Sequence, residues 1–149
     1  MHVALVEPEI PPNTGSIARL CAATGTPLHL IGRLGFSIDD KHLKRAGLDY
    51  WPYVDVHQHA DWAAFAAAVP GRRLGFSARA TRPYTAITFA ADDVLVFGAE
   101  TRGLPAAIKE ELAADLYAIP ITSPHVRSLN LATAVAVVLY EARRQLAGC

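Results

Sequence analysis

Three stretches of the chain place polar, chemistry-capable residues inside otherwise apolar surroundings. The first is EPEIPPNTGSIARLCAATG, where Asn13 or Thr14 can cap a helix and Gly15 leaves its first turn unobstructed. Free backbone N–H groups there suit an anion, and Arg19 follows on the side where such a ligand would sit. The spacing lacks G-x-G-x-x-G, which argues against a dinucleotide cofactor. The second is LVFGAETRGLP, in which Gly98 and Gly103 allow positive φ or the close approach of a flat ligand. Between them, Glu100 offers a carboxylate. The third is IPITSPHVRSLNLATAVAVV, where Ser128 or Asn130 can cap the final helix while Arg127 stands beside them. Each stretch also has a plain structural reading: a capped helix with a solvated Arg19, a turn with a Glu100 ion pair to Arg102 or Arg19, and a capped core helix. The last explains Ser128 but not Arg127 and Asn130 together.

Elements able to position these residues follow from the hydrophobic pattern. Short runs rich in Val, Leu and Ile alternate with helical patterns: HVALVE, TGSIARLCAATG, PLHLIG and DDKHLKRAG, the last capped by Asp39 or Asp40. VDVH and RRLGFS then flank an Ala-rich helix from about Asp61 to Val69. A buried strand follows at Val94 to Phe97, with a helix from Pro105 through Glu111 and a strand at Leu116 to Ile119. This rhythm predicts an α/β fold with a parallel sheet and crossover helices. The irregular segments Ala78–Thr85, Gly98–Leu104 and Pro120–Ser128 all follow strands, where ligands of open parallel sheets collect. In the last helix Leu129, Leu131, Ala132 and Val135 to Leu139 leave no solvated face before Glu141. Such a helix is expected to pack on two sides, against the core and against a second subunit.

The 149 residues suit one domain spanning 1–149, with no appended RNA-binding domain. Fourteen Lys and Arg balance fourteen Asp and Glu, so any nucleic-acid partner must be held by local patches. Two cysteines make no disulfide framework and suit a reducing cytoplasm, with Cys21 read as a small buried hydrophobe. There is no signal-peptide pattern and no uninterrupted apolar run of membrane-spanning length. The six histidines lack ligand spacing with Cys or carboxylates, so no metal is expected.

In that order, N-T-G-x-x-x-R, F-G-x-E-x-x-G-L and R-S-L-N-L resemble the three motifs of the SPOUT (SpoU-TrmD) superfamily of methyltransferases. The opening VALVEPEIPPNTGSIARLCAATG, the segment DDKHLKRAGLDYW and FGAETRGLP are similar to its minimal tRNA 2'-O-methyltransferase branch. The resemblance spans the chain. It implies a parallel-sheet SPOUT fold with a C-terminal trefoil knot, whereas the pattern alone implies an unknotted doubly wound sheet. It also implies a homodimer through the C-terminal helix region, S-adenosyl-L-methionine as cofactor, and a tRNA anticodon stem-loop as partner. The implied reaction is methylation of the ribose at the wobble nucleotide, position 34, of tRNA(Leu) isoacceptors. Alternatives are another tRNA or rRNA position, or a non-catalytic RNA- or nucleotide-binding module.

Carried onto this chain, the resemblance places the cofactor against Phe76, Ser77, Gly98, Glu100, Gly103, Ile119, Ser128, Leu129 and Leu131. Phe76 stands where relatives often have an aliphatic residue, and Ala132 where a small hydroxyl residue is usual. Arg19, Asn13 and Asn130 form the expected catalytic set. A guanidinium stays protonated, so Arg19 is read as an electrostatic stabiliser of the developing alkoxide or a clamp on the adjacent phosphate. Asn13 and Asn130 are expected to position Arg19 and the ribose, and Glu100 to orient Arg19 or the cofactor. RNA contacts are expected from Lys41, Lys44, Arg45, Arg79, Arg82 and Arg127, joined by Tyr140, Arg143 and Arg144 on the last helix.

Overall fold

A computed structural model describes residues 1–39, 41, 43, 45 and 50–147. Six strands, β1 (His2–Val6), β2 (Leu28–Ile31), β3 (Val56–His59), β4 (Arg73–Phe76), β5 (Val94–Phe97) and β6 (Leu116–Tyr117), form one sheet. Their order is β3-β2-β1-β5-β4-β6, and every pairing is parallel. Parallel neighbours cannot be joined by a tight hairpin, so the connections cross over the faces. They carry α1 (Pro11–Thr24), α2 (Trp62–Ala68) and α3 (Ala106–Glu111), and the chain ends on α4 (Leu131–Ala147). The expected parallel-sheet α/β fold is thus observed. Much of the expected helix in DDKHLKRAG, Asp40, His42 and Lys44 among its residues, lies outside the described residues.

Alternation along each strand divides the core into two layers. Val3, Leu5, Leu28, Leu30, Leu74, Phe76, Leu95 and Phe97 pack with Ile17 and Cys21 of α1 and Val135, Val138 and Leu139 of α4. Ala4, Val6, Ile31, Val94 and Val96 pack on the other face with Phe65 of α2 and Ile108 of α3. Asp61 caps α2, its carboxylate accepting from Ala64 N–H at 2.8 Å. Phe65 then fixes this short helix to the sheet, since its full burial contributes about 2 kcal/mol or more.

In α4 the buried residues Leu131, Val135, Val138, Leu139 and Ala142 recur at helical spacing and form a single stripe. Beside it Ala132, Ala136 and Val137 remain half-buried and Tyr140 is exposed. The segment between β4 and β5 is held at both ends of the fold. Tyr84 N–H donates to the Ala118 carbonyl at 2.9 Å, and Ala118 N–H to that of Arg82 at 2.8 Å. On α4, Gln145 donates to the Ile87 carbonyl at 3.0 Å and accepts from Phe89 N–H at 3.0 Å. The last helix therefore grips a loop that precedes it by more than fifty residues, beyond what strand and helix patterns reveal. Among the described residues no helix is long and apolar enough to cross a membrane.

Candidate active site at the β1–β5 junction

β1 lies between β2 and β5, so the connections leaving β1 and β5 diverge to opposite sides of the sheet. Such a switch point opens a crevice at the carboxyl ends of the strands. Here β1 delivers Glu7 to Ile10, and β5 delivers Gly98 to Leu104. The two loops are tied by an exchange of carboxylates. Glu100 accepts from Glu9 N–H at 2.7 Å and Ile10 N–H at 3.0 Å. Glu9 in return accepts from Thr101 N–H at 3.2 Å and from the Thr101 hydroxyl at 2.8 Å. The Thr101 hydroxyl bond leads the effects that hold the Glu9 carboxyl below its ordinary pKa.

This corrects the expected start of the first helix. Asn13 and Thr14 do not cap it: α1 begins at Pro11, with Pro at its first two positions and Ile10 as the N-cap. Proline lacks the N–H that a helix start leaves unsatisfied, so the pair initiates the helix without a side-chain cap. The anion serving the preceding amides is Glu100, a residue of the same chain. Thr14 is fully buried, and its hydroxyl has no hydrogen-bond partner among the described residues.

Asn13, in the first turn of α1, joins the third stretch to the other two. Its Nδ2 donates to Glu100 Oε1 at 3.4 Å, and its Oδ1 accepts from Asn130 Nδ2 at 2.9 Å. Of the two candidate caps of α4, Asn130 is the one used: its Oδ1 accepts from Thr133 N–H at 3.2 Å. Asn130, Asn13 and Glu100 thus form one hydrogen-bonded chain across three elements.

Arg19 is not part of that chain. Neither Asn13, Asn130 nor Glu100 bonds it. Its guanidinium lies 4.7 Å from the centre of the Tyr50 ring, with Nη2 3.4 Å from the Tyr50 hydroxyl. The expected Glu100 pairing with Arg19 or Arg102 is absent as well. Arg102 instead lies 3.8 Å from Glu7 and 3.9 Å from Glu9, distances of weak, exposed pairing.

Gly98 is required by the protein's own backbone. A Cβ there would lie 2.1 Å from the Gly103 carbonyl carbon, because Ala99 and Gly103 bond one another across the turn. Gly103 itself has φ +66°, which accounts for its lack of a side chain. Phe76 is buried and stacks on Phe97 with ring centres 4.8 Å apart, so its ring faces the core. Ser77 continues β4, its N–H donating to the Tyr117 carbonyl at 2.9 Å. Ile119 is half-buried and Leu131 buried, whereas Ser128 and Leu129 are exposed on the segment leading to α4.

Among the candidate RNA contacts, Lys41, Arg45, Arg79 and Arg127 are exposed, and Lys44 lies outside the described residues. Others have structural partners. Arg82 stacks 4.7 Å from Tyr117 and donates to the Ala113 and Ala114 carbonyls. Arg143 donates to the Thr24 carbonyl at 3.2 Å, and Arg144 makes a paired contact with Glu141 at 2.8 and 2.9 Å.

The histidines gather in a way the sequence did not reveal. Parallel register sets His29 opposite Ala4 and His57, and its ring meets those of His2 and His59 on the diagonal, with 2.9 Å between His2 Nδ1 and His29 Nε2 and 2.9 Å between His29 Nδ1 and His59 Nε2. Burial pushes His29 down to a pKa of about 4. Among the described residues no cluster of His, Cys, Asp or Glu converges as metal ligands would. Burial pushes the Cys21 thiol up to about 12, which leaves it inert. Tyr50 and Glu9 are the residues of the site that the sequence reading missed, although both lie inside stretches it singled out.

The crevice at the carboxyl ends of β1 and β5 and the hydrogen-bonded chain across it mark a candidate ligand site in a parallel-sheet α/β protein. Residues 1–140 match the SpoU rRNA Methylase family, and the chain belongs to that family. It is 49% identical over 148 residues to the tRNA (cytidine(34)-2'-O)-methyltransferase of Escherichia coli K12, covering 98% of this chain and 94% of that protein. It is also 49% identical over 144 residues to the protein of the same name from Methylovorus glucosotrophus, covering 96% and 94%. A solved structure concerned with 2-OH methylation of C/U34 on tRNA superposes with a TM-score of 0.93 at 51% identity, covering 99% and 97%. The SpoU methyltransferase AviRb from Streptomyces viridochromogenes, in complex with AdoMet, superposes with a TM-score of 0.85 at 26% identity, covering 100% of this chain and 61% of that one. The fold is accordingly that of the knotted SpoU methyltransferases.

Proposed function

We propose that this protein transfers a methyl group from S-adenosylmethionine to the ribose 2'-hydroxyl of the wobble nucleotide, position 34, of tRNA, with tRNA(Leu) isoacceptors as substrates. The observation that carries the reading is the Asn130–Asn13–Glu100 chain, which locks three strand-following loops around one crevice and leaves the charged Arg19 exposed on the neighbouring surface of α1. Identity of 49% over nearly the whole chain to proteins named as position-34 methyltransferases supports the choice of substrate.

The loops fit the cofactor. Val126 and Leu129 are 48% and 37% exposed on the segment before α4, an apolar cover suited to an adenosine. Gly98, Gly103, Ser77, Ile119, Ser128, Leu129 and Leu131 would hold it, with Phe76 contributing backbone. S-adenosylmethionine supplies a methyl already activated by its sulfonium. What remains for the chain is orientation and charge. Arg19 stabilises the negative charge that develops on the 2'-oxygen as it takes the methyl and its proton passes to solvent, and Asn13 and Asn130 fix the loops between which the ribose enters.

A homodimer completes the reading. Leu20 and Ala23 of α1 and Ala132, Ala136 and Val137 of α4 line an open groove of about 520 Å³, with Arg19 at its rim. A second copy covering it would bury the half-exposed side of α4 and bring two basic surfaces, with Lys41, Arg45, Arg79 and Arg127, to one anticodon stem-loop.

The test is incubation with labelled S-adenosylmethionine and total RNA, tRNA and rRNA together, followed by mass-spectrometric mapping of the labelled nucleotide. Label at the ribose of position 34 in leucine tRNAs is expected. Label at another tRNA or rRNA position redirects the substrate, and no label in any RNA overturns the reading.

A further inference from the structure

We propose that Tyr50 is a positioning residue for Arg19, holding its guanidinium by a contact that leaves its positive charge undiminished; this rests on the methyl-transfer reading above. Arg19 stands exposed on α1, where a long side chain samples many rotamers. A cation–π contact at an exposed site raises the stacked population by about two- to fivefold. The 4.7 Å separation places the guanidinium within that range of the Tyr50 ring. The hydroxyl contact at 3.4 Å is long, so the ring carries most of the effect.

Tyr50 can serve as an anchor because its own backbone is fixed. Its carbonyl accepts from Tyr53 N–H at 2.9 Å, starting a short 3-10 turn over Trp51–Tyr53. Trp51 packs against the core layer that contains Ile17, Ala18 and Cys21 of α1. The ring is therefore tied to the helix whose arginine it contacts.

The chemistry favours a neutral partner. A carboxylate beside Arg19 would hold it firmly but cancel the field it offers a developing alkoxide. Among the described residues no carboxylate pairs with Arg19, and Glu100, the nearest candidate by sequence motif, is engaged by the Glu9 and Ile10 amides. An aromatic ring fixes direction without neutralising charge.

Steady-state methylation of tRNA by the full-length protein, compared among wild type, Tyr50→Leu and Tyr50→Phe, tests this. Tyr50→Leu is expected to lower kcat by roughly twofold to fivefold, with KM for tRNA and for S-adenosylmethionine unchanged. Tyr50→Phe, which keeps the ring, is expected to stay within about twofold of wild type. In an Arg19→Ala background, followed by labelled methyl over long incubation, Tyr50→Leu should cause no further loss. A wild-type kcat in Tyr50→Leu, a loss confined to KM for tRNA, or a full additional loss without Arg19 would each overturn the assignment. The second result would make Tyr50 an RNA contact. NMR of the Arg19 side chain gives a readout independent of turnover: its methylene protons should be shifted upfield by the ring in wild type and Tyr50→Phe, and not in Tyr50→Leu. Absence of that shift in wild type refutes the contact. If the shift is present and wild type methylates no RNA, the methyl-transfer reading fails and the catalytic purpose assigned to Tyr50 fails with it, while the contact itself stands.

Discussion

Glu100 and Glu9 hold one another's loops: each carboxylate accepts hydrogen bonds from the segment that carries the other. Glu100 takes the amides of Glu9 and Ile10, and Glu9 takes the amide and hydroxyl of Thr101. The first bond joins residues 91 positions apart in the chain. Because β1 and β5 are adjacent, this exchange ties the two loops together where the outgoing connections part. It also means that the amides preceding α1 are already satisfied within the chain.

Replacing Glu100 should therefore harm folding as well as turnover. Glu100→Ala leaves two backbone donors without their acceptor, and a loss of about 1–3 kcal/mol in urea unfolding is expected. Glu100→Gln retains one oxygen but turns an NH2 toward N–H donors, so it should recover only part of that stability. Full stability in Glu100→Ala would show that water replaces the carboxylate freely.

Asn130 combines two roles that separate by substitution. Asn130→Ala removes the α4 cap and the link to Asn13, and about 1 kcal/mol of stability should be lost together with turnover. Asn130→Asp keeps an acceptor for Thr133 N–H but has no donor for Asn13. Thermal unfolding of the Asp variant should approach wild type while its kcat stays low; equal recovery of both would assign Asn130 to capping alone.

Arg19→Ala is expected to remove nearly all methyl transfer while leaving S-adenosylmethionine affinity, measured by calorimetry, within about twofold. The side chain contacts Tyr50 and makes no hydrogen bond to Asn13, Glu100 or Asn130, which is the structural basis for that separation. Ordinary turnover in the variant would take Arg19 out of the mechanism.

Local pattern made most of the elements legible, and long-range pairing hid how they meet. Val94 to Phe97 reads as a buried strand from its composition, yet nothing local says that it lies beside β1. The start of α1 was readable and was misplaced: Pro11 and Pro12 look like a loop, although proline at the first helical positions is a start signal. Gly98 was recognised as a close-approach position, but the approaching group is the backbone of Gly103 rather than a ligand. Glu100 was singled out for its type, while its true partners depend on adjacency in the sheet. Tyr50 was passed over because a surface tyrosine has no spacing rule that ties it to Arg19.

The histidine chain predicts a pH dependence of folding. His29 is 3% exposed, between His2 and His59, with His57 stacked at 5.1 Å between ring centres and Asp55 paired to His57. Burial first, then the neighbouring histidines, hold its pKa at about 4 against 6.5 for an ordinary imidazole. Between those values the unfolded chain binds a proton that the folded one refuses, so stability rises with pH across the window. The contribution is fully present above pH 6.5 and is lost as pH falls toward 4, by about 3 kcal/mol in all. His2 and His59, also lowered by burial, act in the same direction. Urea unfolding at pH 7.5, 5.5 and 4.5 should show a steep loss in wild type and a shallower one in His29→Gln, whose amide stays neutral throughout. Parallel slopes for the two proteins would show that other groups govern the acid transition.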